Sequence, residues 1–394
     1  MITHPLATLA KLAARYSPPR CAAVPCLALL NACAAPDGQF NHHVTIEAHD
    51  GADGANAAFL DVFDRATTEL RVALPAGTDT ALTDALLAAH DRGVDVRVVT
   101  DVDRASDPGF VTLTEAGMPV QYGDGAVAYF DFNSNGDVSW TSDQVVLSSA
   151  FAVADKTWFA GASRAGGTED GQTLVAYGQH QDLADDLWTE HVQLYGGIDA
   201  TALTAFSAPA KSIADIRWRY GTGTDAELEV WFGPQQRLTK RVIDLVYSAR
   251  QSVWILTDDL ANDGLARALQ EKAADGFDVQ VIVGPKFGAS APLLSRVLED
   301  DTPDVVKMQV DRPYVPTVVI IDADPSLNAQ ERALFMTHDL YSAGRLYRGS
   351  SIVSDQLIDG VLWQVDDWDE RSVAFEQVLS VWESHLDQAG EFAP

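Results

Sequence analysis

Cysteine is nearly missing from this sequence. The 394 residues contain three, and all of them, Cys21, Cys26 and Cys33, fall within the first 33 positions. From residue 34 onward there is neither an internal disulfide nor a thiolate metal site. Basic charge is also scarce: 27 Lys and Arg stand against 57 Asp and Glu, a formal −30. An acidic surface repels nucleic-acid phosphate, so no nucleic-acid partner is expected. Such a surface suits a solvated or salt-adapted exported protein and says little about fold. The apolar run from Ala22 to Ala32 is too short, and too interrupted by proline, to span a bilayer.

That run belongs to a leader. Residues 1–33 carry Lys11, Arg15 and Arg20 but no acid, the layout of a secretory signal. Leu30-Asn31-Ala32-Cys33 resembles a bacterial lipobox, which predicts lipidation of Cys33 and a membrane partner reached through an N-terminal lipid anchor. Ordinary cleavage near Ala32-Cys33-Ala34 is the alternative. The expected location is the cell envelope, at the outer membrane or cell surface, or outside the cell. Loss of the leader's three basic residues would take the formal charge to −33. Residues 34–43 read as a polar tether, in which His42 and His43 are solvated rather than metal-bound.

The rest of the chain is written twice. FLDVFDRATTELRVAL…ALTDALLAAHDRGVDVRVV, starting at Phe59, returns as VIDLVYSARQSVWIL…GLARALQEKAADGFDVQVI. Gly93 falls on Gly276, Asp95 on Asp278, Ala66 on Ala249 and Leu82 on Leu265, each 183 positions apart. A repeat this long is a duplicated domain-sized unit, not a solenoid period of about 20–50 residues. Phe59, Val62, Phe63 and Ala66 recur at helical spacing; Leu70, Val72 and Leu74 alternate as in a strand. Leu82, Ala85, Leu86 and Ala89 line one face of a second helix, which Gly93 ends as an αL cap. Strand, crossover helix, strand predicts a parallel pair with right-handed connection. The class is α/β, with units at 44–196 and 226–394 and a connector at 197–225 containing SAPAKS and GTGTD. Each unit closes on an amphipathic helix, with Trp188 and Trp382 expected as core anchors.

Between the repeat and the first closing helix lies YFDFNSNGDVSW. Asp131, Asn133, Asn135 and Asp137 around Gly136 match the first half of an EF-hand-type calcium loop. Ser142 stands where the closing bidentate Glu belongs, and Asn-Gly flanked by alternating aromatics is a hairpin signal, which is the reading preferred here.

The duplication, the Gly-Val-Asp-Val strand and the segment QVVLSSAFAVADKTWFAGAS (144–163) together resemble the phospholipase D-like superfamily. Its members carry two α/β repeats, each with a His-x-Lys-x4-Asp motif followed by a strand and a Gly-Ser-type turn. The resemblance implies two tandem units about a pseudo-two-fold axis, with a ligand cleft between them. Asp155 takes the motif's Asp and Gly161-Ala162-Ser163 the trailing turn, which puts Ser148 at the His position and Ala150 at the Lys position. In the second unit VPTVVIIDAD gives Asp322, Val315 and Thr317 for the same three places. None of the nine histidines begins a His-x-Lys. In the family one His attacks phosphorus, the other protonates the leaving group, and the lysines hold phosphate oxygens. Ser, Ala, Val and Thr supply none of this, and a serine nucleophile needs a base beside it. Packed as in the family, Ser148 and Ala150 face Val315 and Thr317 across one cleft, where Asp155 and Asp322 are the remaining polar members.

His338 is the residual catalytic candidate, at the point in the second unit equivalent to the Gly-Ala-Ser turn, with Arg345 and Arg348 nearby in sequence as phosphate ligands. A His at a strand end beside Asp339 is more often a cap. The expectation is a lipid-anchored pseudoenzyme that binds or scaffolds an unidentified ligand and uses no cofactor. The rivals are a phosphodiesterase or phospholipase with a rearranged site, and a calcium-dependent surface module built on 131–137.

Overall fold

Glycine stops the same helix in both repeats. Gly93 and Gly276 have φ of +87° and +84°, a region open to glycine without steric cost, and their N–H groups close onto the carbonyls of His90 and Ala273. The helix starts match too: Asp79 accepts from Leu82 N and Asn262 from Leu265 N, again 183 positions apart.

The computed structural model describes residues 43–123, 146–167, 171–195, 219–221, 226–233, 236, 238–258, 260–284, 305–312, 314–323, 331–337, 340–341, 358–367 and 372–391. In the first repeat these form β1 (His43–Asp50), α1 (Ala52–Arg65), β2 (Glu69–Ala73), α2 (Thr80–Asp91), β3 (Asp95–Asp101), a 3-10 turn (Val102–Arg104), α3 (Pro108–Glu115), β4 (Val120–Gly123), β5 (Val146–Leu147), β6 (Phe151–Ala154), β7 (Trp158–Ala162), β8 (Gln172–Gln179) and α4 (Gln181–Tyr195). The second gives β9 (Arg219–Gly221), β10 (Ala226–Phe232), α5 (Leu238–Ser248), β11 (Ser252–Thr257), β12 (Leu260–Ala261), α6 (Asp263–Ala274), β13 (Asp278–Val283) and β14 (Val305–Gln309). It ends with β15 (Thr317–Ile321), β16 (Glu331–Met336), β17 (Leu340–Tyr341), β18 (Ile358–Asp359), β19 (Val361–Asp367), α7 (Val373–Leu386) and β20 (Gly390–Glu391).

The first sheet has the order β1-β8-β7-β6-β2-β3-β4, and the second repeats it as β10-β19-β16-β15-β11-β13-β14, with β9 and β20 added at its two edges. In both, the β2–β3 and β11–β13 pairs expected from the sequence are parallel, and the hairpin that follows is antiparallel to them. The duplicated α/β plan is therefore a property of the whole fold. Two short ribbons, β5 with β18 and β12 with β17, complete the pairing among the described residues.

Three apolar clusters hold these layers. One lies between the first sheet and α1–α3, one between the second sheet and α5–α6, and the largest joins the inner faces of both sheets with α4 and α7. Contacts unite Asn41–Pro394 in one body, so each repeat completes the other's core.

The central seam is asymmetric. Gly161 pairs with Ala176 in the first sheet; the equivalent pair in the second is Phe335 with Trp363. The Trp363 indole stacks nearly parallel to Phe159 of the first repeat and to Phe335 of the second, each with ring centroids 6.2 Å apart. A Cβ on Gly161 would run into this indole. Small residues in one repeat thus receive the large ones of the other.

Of the two expected core anchors, Trp382 is buried and stacks on Trp254 at 4.6 Å. Trp188 is only half-buried: its indole N–H donates to Glu69, and the Lys156 ammonium sits 3.8 Å over its ring. A ring with a polar tip and a cation on its face gains by staying at the boundary.

Candidate functional site between the repeats

The segments that carry the motif positions enter the sheets next to β2 and β11. Phe151 pairs with Ala73 at the C-terminal end of β2, and Ala154 with Leu70 near its start. Ser148 and Ala150 therefore lie at the C-terminal edge of the parallel strands, the edge where open α/β sheets build ligand sites. Asp155 lies at the opposite end. The four residues of β6 separate Ala150 from Asp155, five steps or about 16 Å at the usual strand rise.

The two motif aspartates are accordingly not cleft residues, contrary to the packing inferred from the resemblance. Asp155 accepts bonds from Thr67 N and Oγ1, Thr68 N and Oγ1, and Glu69 N, at 2.6–2.9 Å. Asp322 accepts from the N–H groups of Arg250, Gln251 and Ser252. Both adopt positive φ, +51° and +56°. Each carboxylate ties the end of its hairpin to the loop that opens β2 or β11. Burial pushes the Asp155 carboxyl up, but the donors from Thr67, Thr68 and Glu69 outweigh it and hold it far below the usual carboxylate range.

The other four positions also divide. Ala150 is fully buried in the outer core of the first repeat, beneath its own helices. Thr317 is buried with its hydroxyl 3.1 Å from that of Thr257, in the alternation that sends Val319 and Ile321 to the outer core of the second repeat. Val315 is buried in the shared inter-sheet core. Ser148 is the half-exposed member, with Oγ 3.3 Å from Thr337 Oγ1 across the repeat boundary. The four side chains do not converge on one cavity, because residues two apart on a strand keep to one face while the lead-in to β6 and β15 is irregular.

Sequence reasoning did not find several groups that gather at this seam. Ser163 Oγ accepts from Leu174 N, and Thr337 Oγ1 accepts from Val361 N, so the turn after the hairpin is built alike in both repeats. Tyr314 of the second repeat donates its hydroxyl to the Ser163 carbonyl at 3.3 Å. Arg164 stacks on the Tyr314 ring, 4.5 Å from guanidinium to centroid. Asp101, at the end of β3, is buried and accepts from Leu147 N and Asp103 N; burial pushes its carboxyl up. Asp258, fully buried just after β11, lies against the Cα of Gly284. Arg164 and Tyr314 adjoin motif positions, and Asp101 and Asp258 end parallel strands. Those were the available signals.

The remaining candidates lie outside the described residues: His338, Arg345, Arg348, the 131–137 loop with Asp131, Asn133, Asn135 and Asp137, and Cys33. Among the described residues no helix is long and apolar enough to cross a membrane.

Two buried histidines occupy equivalent places on the inner helices. His191 of α4 is fully buried and stacks on Tyr195 at 5.7 Å; His385 of α7, also buried, bonds the Val381 carbonyl through Nδ1. Burial, then the Arg71 charge, takes His191 down to about 3, and burial takes His385 down to about 4. Both folded values lie below that of an unfolded His, about 6.5. The unfolded chain therefore binds protons that the native chain refuses, and stability falls as pH drops below about 6.5. The expected loss by pH 5 is about 2 kcal/mol for each histidine. Urea titrations from pH 7.5 to 5 check it. His191→Phe with His385→Phe should flatten the pH dependence, and an unaltered slope would refute the assignment.

The geometry is that of a duplicated α/β sandwich whose seam lies at the C-terminal ends of parallel strands. Residues 59–162 match the sequence model of the family described as "Cardiolipin synthase, PLD-like domain". The structure resembles a phosphatidylserine synthase from Haemophilus influenzae, with TM-score 0.57 and 12% identity over 88% of this chain and 87% of that one. It also resembles a polyphosphate kinase from Porphyromonas gingivalis, with TM-score 0.53 and 9% identity over 88% of this chain and 51% of the kinase. No curated protein matches the sequence. Residues 59–162 thus match a phospholipase D-like domain by sequence, and both repeats have the phospholipase D-like fold.

Proposed function

We propose that this phospholipase D-like protein is a catalytically inert binding or scaffold protein of the cell envelope, anchored by a lipid on Cys33. The observation that carries the reading is the content of the four positions where the family keeps its His and Lys pairs. Ala150 and Val315 are buried and apolar, Thr317 is buried against Thr257, and Ser148 lies 3.3 Å from the Thr337 hydroxyl. Loss of one positioned donor or acid–base group typically costs about 10²–10⁴-fold in rate. Four such groups are replaced here.

Purified protein should leave bis(nitrophenyl) phosphate and phosphatidylcholine at the buffer rate, with or without calcium. Hydrolysis that His338→Ala abolishes, with an unchanged melting curve, would favour the rearranged phosphodiesterase instead. The anchor is read separately. In bacteria fed labelled palmitate, label should appear on the protein and vanish with Cys33→Ala; an unlabelled, soluble product would count against it.

A further inference from the structure

We propose that the ribbon of β5 and β18 is a strap at the seam and that Asp101 is its latch. When the Leu147 N–H leaves this carboxylate, β5 lifts and the seam opens from the side of the first repeat. The purpose of such an opening rests on the binding role proposed above. The motion itself does not, and it is measured without a ligand.

Among the described residues this ribbon is the one strand pair that joins the two repeats. Val146 pairs with Ile358 and Leu147 with Asp359, in parallel. Both strands run straight on into the main sheets: Ser148–Ala150 lead from β5 to β6, and Gly360 leads from β18 to β19. A ladder of two residue pairs is too short to hold by itself, so its anchors decide whether it stays. The end in the second repeat is fixed largely by backbone. Gly360 accepts from Gly233 N, the Val361 carbonyl accepts from Thr337 N, and Val361 N donates to Thr337 Oγ1. The end in the first repeat is tied to its sheet by a side chain. Asp101 Oδ2 accepts from Leu147 N at 2.9 Å, and Oδ1 accepts from Asp103 N at 2.8 Å, which orients the carboxylate from the turn after β3.

Two features make this tie a latch rather than a fixed joint. Asp101 is buried, and burial pushes its carboxyl up, so the closed position carries a desolvation cost that lifting β5 relieves. The tie is also one-sided. The equivalent residue of the second repeat, 183 positions on, is Gly284, which has no side chain to offer. The duplicated plan thus stands without this bond, and the first repeat adds it at the edge where open α/β sheets receive ligands. Local openings of this kind cost less than global unfolding and are read by amide exchange.

Hydrogen exchange of the full chain, followed by mass spectrometry, tests the latch. Peptides covering 146–150 should exchange at least about tenfold faster in Asp101→Ala than in the wild type, the scale of one hydrogen bond to a charged group. Peptides covering 358–361 should follow, because the ribbon loses its partner strand. Asp101→Asn keeps one acceptor oxygen and should fall between the two proteins; it carries the same reading if the alanine variant fails to fold. Asp103→Ala removes an exposed side chain, leaves the Asp103 N–H in place and should exchange as the wild type does. Peptides from β11 and β13 should be unchanged throughout. The proposal is overturned if both Asp101 variants leave exchange at 146–150 unchanged, or if Asp103→Ala raises it as much. It is also overturned if exchange rises equally in β11 and β13, which would make Asp101 a support of the whole fold. Failure of the binding role would leave these rates as they are, because no ligand enters the measurement.

Discussion

Gly161→Leu is expected to lower the stability of the folded chain by about 3 kcal/mol, the upper end of the usual overpacking cost. Even the first added carbon would collide with the Trp363 indole, and that ring cannot retreat. Phe159 and Phe335 both stack near it, with ring centroids 6.2 Å away, and it is fully buried. Trp363→Ala by itself should cost about 3–5 kcal/mol through the cavity it leaves. In the double variant the leucine enters the space the indole vacates, so the pair should be markedly less destabilised than the sum of the two single changes. Chemical denaturation of the four proteins in the cycle measures this coupling. Simple additivity would show that the two residues do not share a space, and the lock between the repeats would have to be abandoned.

Asp322→Ala should be comparably damaging, at about 3–5 kcal/mol, although the residue is remote from the seam. Its carboxylate receives three consecutive backbone N–H groups, from Arg250 to Ser252, and its side chain is buried. Each buried donor left without a partner costs about 1–3 kcal/mol. Alanine would also have to hold φ near +56°, a left-handed conformation that costs an L-residue about 1 kcal/mol. Asp155→Ala removes a similar clamp on Thr67–Glu69, but this loop is more exposed and water replaces part of what is lost. About 2 kcal/mol is expected there. Asparagine keeps one acceptor oxygen and tolerates the left-handed region, so Asp322→Asn should cost less than Asp322→Ala.

The residue pattern determined the architecture on its own. A gap-free repeat with glycine caps, alternating strands and one-sided helices specified two α/β units, because periodicity and backbone preference are local properties that one stretch of chain expresses by itself. The resemblance to a known family added expectations about Ser148, Ala150, Asp155, Val315, Thr317 and Asp322. The roles of those positions were not local. Asp155 and Asp322 were legible as motif residues, yet only the tertiary structure placed them at the far end of their strands, where the loops they clamp lie some 70–90 residues earlier in the chain. Ala150 and Val315 went into separate cores, and Thr317 against Thr257, because the irregular lead-in to each strand sets which face a side chain takes. The seam itself was invisible in the sequence. Gly161 with Trp363, Ser148 with Thr337 and Arg164 with Tyr314 are pairs that no spacing rule connects. Complementary volume and charge are properties of two surfaces together, and they exist only once the second repeat has folded against the first.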